Sequence, residues 1–484
     1  MLTLARRFAE QVARDPDAVA VTDGDRELRY GELAAAAREL RRHLADAGVP
    51  EGTLVGLRMP RCAEVVVAIL GILEHGCGYV PIDPAYPASR QEYIVADAGI
   101  DALVQVDPDT GRPTVVRTGG GPPRAVPPGT AYVIYTSGST GTPKGVVVGD
   151  AHVGALMDAC AQRFTLSAAD VWTMFHSHSF DFSVWELWGA LLHGGRVVIV
   201  PPWVAADPRA FGELLADEGV TVLSQVPTAF GHLVAELEVH PEPLPELRYV
   251  VFGGEALHTG AVRAWRELAV APGAVLVNMY GITETTVHVT FAALDDEAAT
   301  LPGATPIGRP LPHLRVRLVD EHLRPVPVGA AGEMLVTGAS VSHGYLGRAE
   351  LTAQRFVTLD GQRYYRSGDW ARQDAEGRLH YLGRRDRQVQ LRGFRVELGE
   401  LEAAVAAHPA VAQCAVLAEA NQLGELQLVA YYVPRAGADL APEQVRAHVA
   451  GCLPAHLVPS RIRRMAALPR TAHDKVDLAA LVGR

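Results

Sequence analysis

The chain has 484 residues, enough for two or three domains and a large core, and 48% of it is hydrophobic, as in an ordinary globular protein. Its 44 Lys and Arg against 55 Asp and Glu leave a net charge of −11, and such a negative field argues against nucleic acid as a partner. Five scattered cysteines, Cys62, Cys77, Cys160, Cys414 and Cys452, make no Cys-x-x-Cys pair, which speaks against a disulfide framework or a zinc site.

The N-terminus reaches Arg6, Arg7 and Glu10 before any long apolar stretch, so it does not read as a secretory signal. The longest apolar run, 65–73, is well short of the roughly 20 residues that cross a bilayer. A cytoplasmic protein with no membrane partner is expected. Leu33, Leu40 and Leu44 recur at helical spacing and predict an amphipathic helix over 31–47; residues 64–74 read as a buried helix, and 78–87 as a short strand closed by prolines. Gly and Pro crowd residues 110–130, which read as a polar loop.

Between the β-branched runs 131–134 and 146–148 lies Tyr135-Thr136-Ser137-Gly138-Ser139-Thr140-Gly141-Thr142-Pro143-Lys144-Gly145, a pattern of strand, loop and strand. Glycines free the backbone amides to face an anion, Thr136, Ser137, Ser139 and Thr140 add hydroxyl donors, and Lys144 adds a positive charge. The assembly suits a polyphosphate. It is not a Walker A loop, because Lys144 is followed by Gly145 and a strand and not by Ser or Thr opening a helix.

Further along, apolar strands at 195–200, 220–224, 247–252 and 274–278 alternate with helical segments, which predicts an α/β fold with largely parallel, two-sided sheets. Ligands in such folds sit beyond the carboxyl ends of strands. After about residue 301, short strands at 316–320 and 333–337 predict a small β subdomain. The composition changes again after 383–387, and a helix at 398–407, strands at 410–418 and 427–433 and a helix at 442–452 predict a separate α+β domain. The expected division is 1–385 and 386–484.

The undecapeptide at 135–145 resembles the signature of the adenylate-forming superfamily, which comprises acyl-CoA synthetases, firefly-type luciferases and the adenylation domains of nonribosomal peptide synthetases. Asn278-Met279-Tyr280-Gly281-Ile282-Thr283-Glu284 places an aromatic ring, a hydroxyl and a carboxylate within a few residues; by chemistry alone Tyr280 can stack on a base and Glu284 can hold Mg²⁺. The plainer reading is a strand end followed by a capped helix. The resemblance implies Tyr280 on adenine, Thr283 at phosphate and Glu284 on the metal, with Gly138, Gly141, Gly254, Asn278 and Gly281 also in the nucleotide site. It further implies that Asp369 binds the ribose hydroxyls, Arg384 lies near the ribose, Asp386 is the hinge of a mobile C-terminal domain, and Lys475 meets the substrate carboxylate and α-phosphate. Ser367, Trp370, Gln390 and His473-Asp474 depart from the family's usual Thr, Leu, Lys and Asn-Gly. The likeness runs from Leu28 to Lys475.

Asp181 stands alone in the aromatic stretch Phe180-Asp181-Phe182-Ser183-Val184-Trp185. An unpaired buried carboxylate is costly, so Asp181 is exposed, caps a helix, or awaits a cation. The resemblance favours the cation, the α-ammonium of an amino acid. It then lines the side-chain pocket with Phe182, Trp185, Ser224, Val251, Gly253, Met279, Val287 and His288, a shallow set similar to pockets for threonine, with 2-aminobutyrate, serine, valine or a modified analogue as alternatives. The implied reaction uses ATP and Mg²⁺ to form an aminoacyl-AMP, releases pyrophosphate, and passes the acyl group to the phosphopantetheine thiol of a carrier protein. A carrier acting in trans to a free-standing enzyme, or a piece of a longer synthetase, is expected, with or without an MbtH-like activator. A CoA ligase of the same superfamily and a catalytically silent scaffold are the rival readings.

Overall fold

The computed structural model describes residues 3–119, 124–138, 142–257, 259–294, 305–421, 425–470 and 476–482. Two compact units emerge: Met1–Asp83, Val95–Ile134 and Gly145–Arg385 make the larger, and Pro84–Ile94, Tyr135–Lys144 and Asp386–Arg484 the smaller.

The larger unit is α/β, as the alternation of elements predicts. Its main sheet runs parallel through Arg196–Ile199, Val171–Met174, Val222–Gln225, Tyr249–Phe252 and Val275–Asn278. These strands are almost wholly buried because helices cover both faces, which is why they read as continuous apolar runs. Beyond Val275–Asn278 the sheet turns antiparallel at Thr290–Ala293 and continues through Thr305–Pro310, Leu379–Arg384, Gln362–Gln373, Ala331–Gly338 and Leu314–Val319. The small β region expected after residue 301 is thus hydrogen-bonded onto the parallel sheet.

A second sheet orders Gly344–Tyr345, Lys144–Gly149, Thr130–Thr136, Gly78–Pro81, Leu54–Leu57, Ala102–Val106 and Pro113–Arg117. The last strand corrects the expectation of a loop throughout 110–130. Val115 and Val116 pair antiparallel with Val104 and Leu103, and Pro113 opens the strand at the sheet edge, where its missing N–H breaks no ladder bond. The two predicted helices form at Tyr30–Asp46, burying Leu33, Leu40 and Leu44, and at Ala63–Glu74.

The helix Phe182–Leu191 is buried along its whole length. It lies on the strand Val171–Met174, with Trp172 and Trp185 edge to face at 5.1 Å. Gly189 allows this approach, since a Cβ there would run into the Trp172 indole.

In the smaller unit, Val411–Ala420 pairs antiparallel with Leu426–Pro434, which pairs parallel with Arg461–Arg464. The helices Leu398–Ala406 and Pro442–Ala450 close a core around Leu401, Val405, Val416, Val445 and Val449. A hairpin of Gln388–Leu391 and Phe394–Glu397 turns on Arg392 and Gly393, both at positive φ (50° and 80°). No helix among the described residues is long and apolar enough to cross a membrane.

Candidate active site

The carboxyl end of Val275–Asn278 sets the first cluster. Asn278 Nδ2 donates to the Pro306 carbonyl at 2.8 Å and fixes the strand end. Two residues on, Tyr280 Oη donates to Asp369 Oδ2 at 2.8 Å, Tyr381 Oη donates to Asp369 Oδ1 at 3.1 Å, and Arg384 Nη1 lies 3.1 Å from Asp369 Oδ2. Asp369 and Arg384 face each other across neighbouring strands, so the pairing is built into the register. The carboxylate is 1% exposed yet held by a cation and two phenols, a grip that two ribose hydroxyls would reproduce. Burial, and then the Asp369 charge, raises the Tyr280 pKa well above the usual tyrosine range, so its hydroxyl stays a donor.

Gly281 has no room for a side chain, because a Cβ would run into the Val287 carbonyl. The chain then makes one 3₁₀ turn, Thr283–Thr285, and leaves it through Thr286 and Val287, two β-branched residues at φ 58° and 63°. Such residues are held left-handed only where their surroundings over-determine them. Here Thr286 Oγ1 donates to the Ser340 carbonyl at 2.7 Å, and Ser340 Oγ donates to the Thr285 carbonyl at 3.1 Å. Glu284, at the centre of the turn, is completely buried, and Tyr345 Oη donates to its Oε1 at 2.6 Å. Among the described residues no cluster of three or more His, Cys, Asp or Glu is suited to a metal. A lone carboxylate fits Mg²⁺, which is commonly held by one or two carboxylates with phosphate oxygens and water completing its shell.

Asp181 occupies the N-cap of Phe182–Leu191, but its side chain makes no capping hydrogen bond, and it is 5% exposed. The exposed reading is thereby removed, and the capping one lacks its bond. Nearby, Trp185 Nε1 donates to Ser224 Oγ at 3.2 Å, and His288 meets Phe182 and Trp185 edge to face, each at 5.4 Å. Ser224 and Val251 are register partners on adjacent strands. A Cβ at Gly253 would stand 3.3 Å from Phe182, and Gly254 turns the chain at φ 81°. Both ring nitrogens of His288 are buried without a hydrogen-bond partner among the described residues, and burial lowers its pKa to about 3. The ring is therefore neutral, with one donor and one acceptor nitrogen. Met279 and Val287 are buried in the same core.

In the smaller unit, Ser137, Gly138 and Lys144 are buried, while Thr136 is half-buried at the end of its strand. Asp386 is exposed, its Oδ1 accepting from the Gln388 amide at 3.3 Å. Ser139, Thr140, Gly141 and Lys475 lie outside the described residues.

Residues 8–346 match the AMP-binding enzyme family, and 400–475 match the AMP-binding enzyme C-terminal domain. The chain belongs to the AMP-binding enzymes. It is 41% identical over 490 residues to syringomycin synthase SyrB1 of Pseudomonas syringae pv. syringae, covering 97% of this chain and 80% of that protein. It is also 42% identical to a dimodular nonribosomal peptide synthase of Bacillus subtilis, covering 99% of this chain but 21% of that protein. The chain thus spans about a fifth of several large synthases it matches. Among solved structures, the adenylation and PCP protein PA1221 superposes with a TM-score of 0.84 at 30% identity, covering 99% of this chain and 84% of that one. The amide bond synthetase McbA of Marinactinospora thermotolerans superposes with a TM-score of 0.87 at 28% identity, covering 99% of both chains. A mixed α/β chain with a large N-terminal and a small C-terminal domain is the architecture of this adenylate-forming ligase family.

Sequence reasoning missed Tyr381 and Tyr345, the phenols that hold Asp369 and Glu284 in this AMP-binding enzyme. A tyrosine in an apolar strand reads as core, and the hydroxyl's partner lies on the neighbouring strand for Tyr381 and 61 residues back for Tyr345. A short polar stretch, Ser340-Val341-Ser342-His343-Gly344-Tyr345, was the available signal.

Proposed function

We propose that this chain activates a small L-amino acid, threonine being the best fit, as its aminoacyl-adenylate at the expense of ATP, and then transfers it to the phosphopantetheine thiol of a carrier protein. The observation that carries this reading is the placement of Asp181: a carboxylate 5% exposed among Phe182, Trp185 and their neighbours, at an N-cap it does not use. A substrate ammonium is the counter-charge that a carboxylate in such surroundings favours. A fatty or aryl acid supplies no such cation. Nonribosomal peptide synthases among the relatives, and the adenylation and PCP domains of PA1221, support the amino acid and the carrier as partners.

Bulky Phe182 and Trp185 in the proposed lining favour a short side chain, and the neutral His288 together with the Ser224 hydroxyl, one of whose lone pairs Trp185 engages, offers polar contact to one β-hydroxyl. In this reading Tyr280 packs on adenine, Asp369 takes the ribose hydroxyls beside Arg384, and Thr283 contacts phosphate. Glu284 would hold Mg²⁺, which when bound neutralises phosphate charge and orients the leaving pyrophosphate. Lys475 and the loop 135–145 keep the roles their resemblance gives them, the first at the growing charge of the α-phosphoryl group and the second at the β and γ phosphates. Asp386 is the proposed hinge at the boundary of domains 1–385 and 386–484.

A second reading is favoured by McbA, an amide bond synthetase of the same fold, which points to an acceptor other than a carrier thiol. Substrate-dependent exchange of labelled pyrophosphate into ATP, over a panel of amino and carboxylic acids, tests the first step; a carrier, CoA and amines offered in turn then test the second. Threonine or a close analogue should give the highest exchange and the carrier the product. Exchange only with acids lacking an amine would refute the amino acid reading.

A further inference from the structure

Within the smaller unit two donors of the loop, Ser137 and Lys144, face acceptors of the C-terminal segment. Ser137 Oγ donates to the Arg395 carbonyl at 2.5 Å. Lys144 Nζ stands 3.8 Å from Glu397 Oε1, with both side chains less than a tenth exposed. Gln388 Nε2 donates to the same oxygen at 2.8 Å. Glu397 is the N-cap of Leu398–Ala406 and Glu400 lies in its first turn. Glu400 pairs with Arg90 at 2.5 Å, and its pKa is raised by burial and by Glu397 but pulled back by Arg90 and by the Gly138 amide.

Two carboxylates thus stand where the loop presents an ammonium, a hydroxyl and a backbone amide. Carboxylate and phosphate oxygens are acceptors of the same kind for an ammonium. Two acids, Glu397 and Glu400, are offset here by two cations, Lys144 and Arg90. A polyphosphate brought to Lys144 would meet both acids at short range, and the like charges would repel.

Resting on the reading that this loop takes polyphosphate, we propose that Glu397 is a built-in competitor at the loop: it holds Lys144 in the absence of nucleotide, and ATP or pyrophosphate must displace it. The coupling is reciprocal, so the contact weakens polyphosphate binding by the factor by which polyphosphate weakens the contact.

Glu397→Gln keeps the shape and the bond to Gln388 while removing the charge. By calorimetry at fixed Mg²⁺, its affinity for ATP and for pyrophosphate should rise roughly three- to tenfold, with AMP, which lacks the outer phosphates, unchanged. Glu402→Gln removes an acid from the exposed pair with Arg387 and should leave all three affinities alone. Unchanged or weaker polyphosphate binding in Glu397→Gln, or an equal gain in Glu402→Gln, overturns the competition. Lys144→Ala separates the two ideas: it should weaken ATP and pyrophosphate binding and erase the gain, whereas unaltered binding in that variant overturns the phosphate reading of the loop itself. If thermal melting shows Glu397→Gln to be unfolded, Glu397→Asp, one methylene shorter, should give a smaller gain of the same sign, and no gain there counts against the competition.

Discussion

Asp181 shows how much a single residue can and cannot declare. An acid inside an aromatic run is conspicuous in the sequence, and its three possible fates follow from electrostatics alone. Burial to 5% removed the exposed one and the capping bond is not made, and the substrate cation is the fate proposed for it. Asp181→Asn keeps the volume but removes the charge that an α-ammonium needs, so kcat/KM for the amino acid should fall by about 3–5 kcal/mol, roughly 10²- to 10³-fold or more, while ATP binding stays intact. Initial-rate exchange assays at saturating ATP measure this; a loss below threefold would remove Asp181 from the ammonium site. Tyr345 makes the complementary case. Its phenol orients the carboxylate of Glu284 from 61 residues away. Tyr345→Phe should therefore raise the Mg²⁺ concentration needed for half-maximal exchange several-fold, about 1–2 kcal/mol, with little effect on the KM for the amino acid. An unchanged Mg²⁺ profile would leave the phenol a purely structural part.

At the level of elements, the helix Phe182–Leu191 is where packing overrides propensity. Glycine costs about 1 kcal/mol relative to alanine inside a helix, so propensity alone says that Gly189→Ala should stabilise. The Trp172 ring lies where the added methyl would go, and a buried indole has little freedom to retreat. The balance should be a net destabilisation of about 1–3 kcal/mol in urea unfolding, with a raised KM for the amino acid because Asp181 begins the same helix. A stabilised variant would show that the helix can shift without cost. Strands 195–200 and 247–252 were legible because β-branched runs flanked by helices have few other uses. The strand Pro113–Arg117 was not, because its glycine-rich and proline-rich flanks dominate the composition and only its pairing with Ala102–Val106 gives it order.

Across the whole molecule, several histidines have been taken out of water. Burial lowers His288 to about 3 and His178, His152 and His313 to about 4, against about 6.5 in an unfolded chain. Below pH 6.5 the unfolded chain binds protons that the folded one refuses. Stability is thus full above about pH 6.5 and declines as pH falls toward 4. Asp150, pushed up to about 6 by burial, works in the opposite direction, but His456, lowered to about 3, and His193 and His343, also lowered by burial, add to the four rings. Melting temperatures at pH 7.5, 6 and 5 should fall in that order, by several degrees in all; a flat or rising series would mean that these rings gain partners on protonation.

Short motifs and their resemblance to a known family were enough to name the class of the protein. A hydroxyl-rich loop between two strands, a carboxylate in an aromatic run and alternating apolar segments are local patterns, and local patterns follow from side-chain chemistry and backbone freedom over a few residues. Only the folded chain settles which separated polar groups meet: Tyr280, Tyr381 and Arg384 on Asp369, Tyr345 on Glu284, Trp185 on Ser224, and Glu397 beside Lys144. A buried polar atom must find a partner somewhere, but sheet register and chain crossing determine which one, and neither is written in any short window of residues.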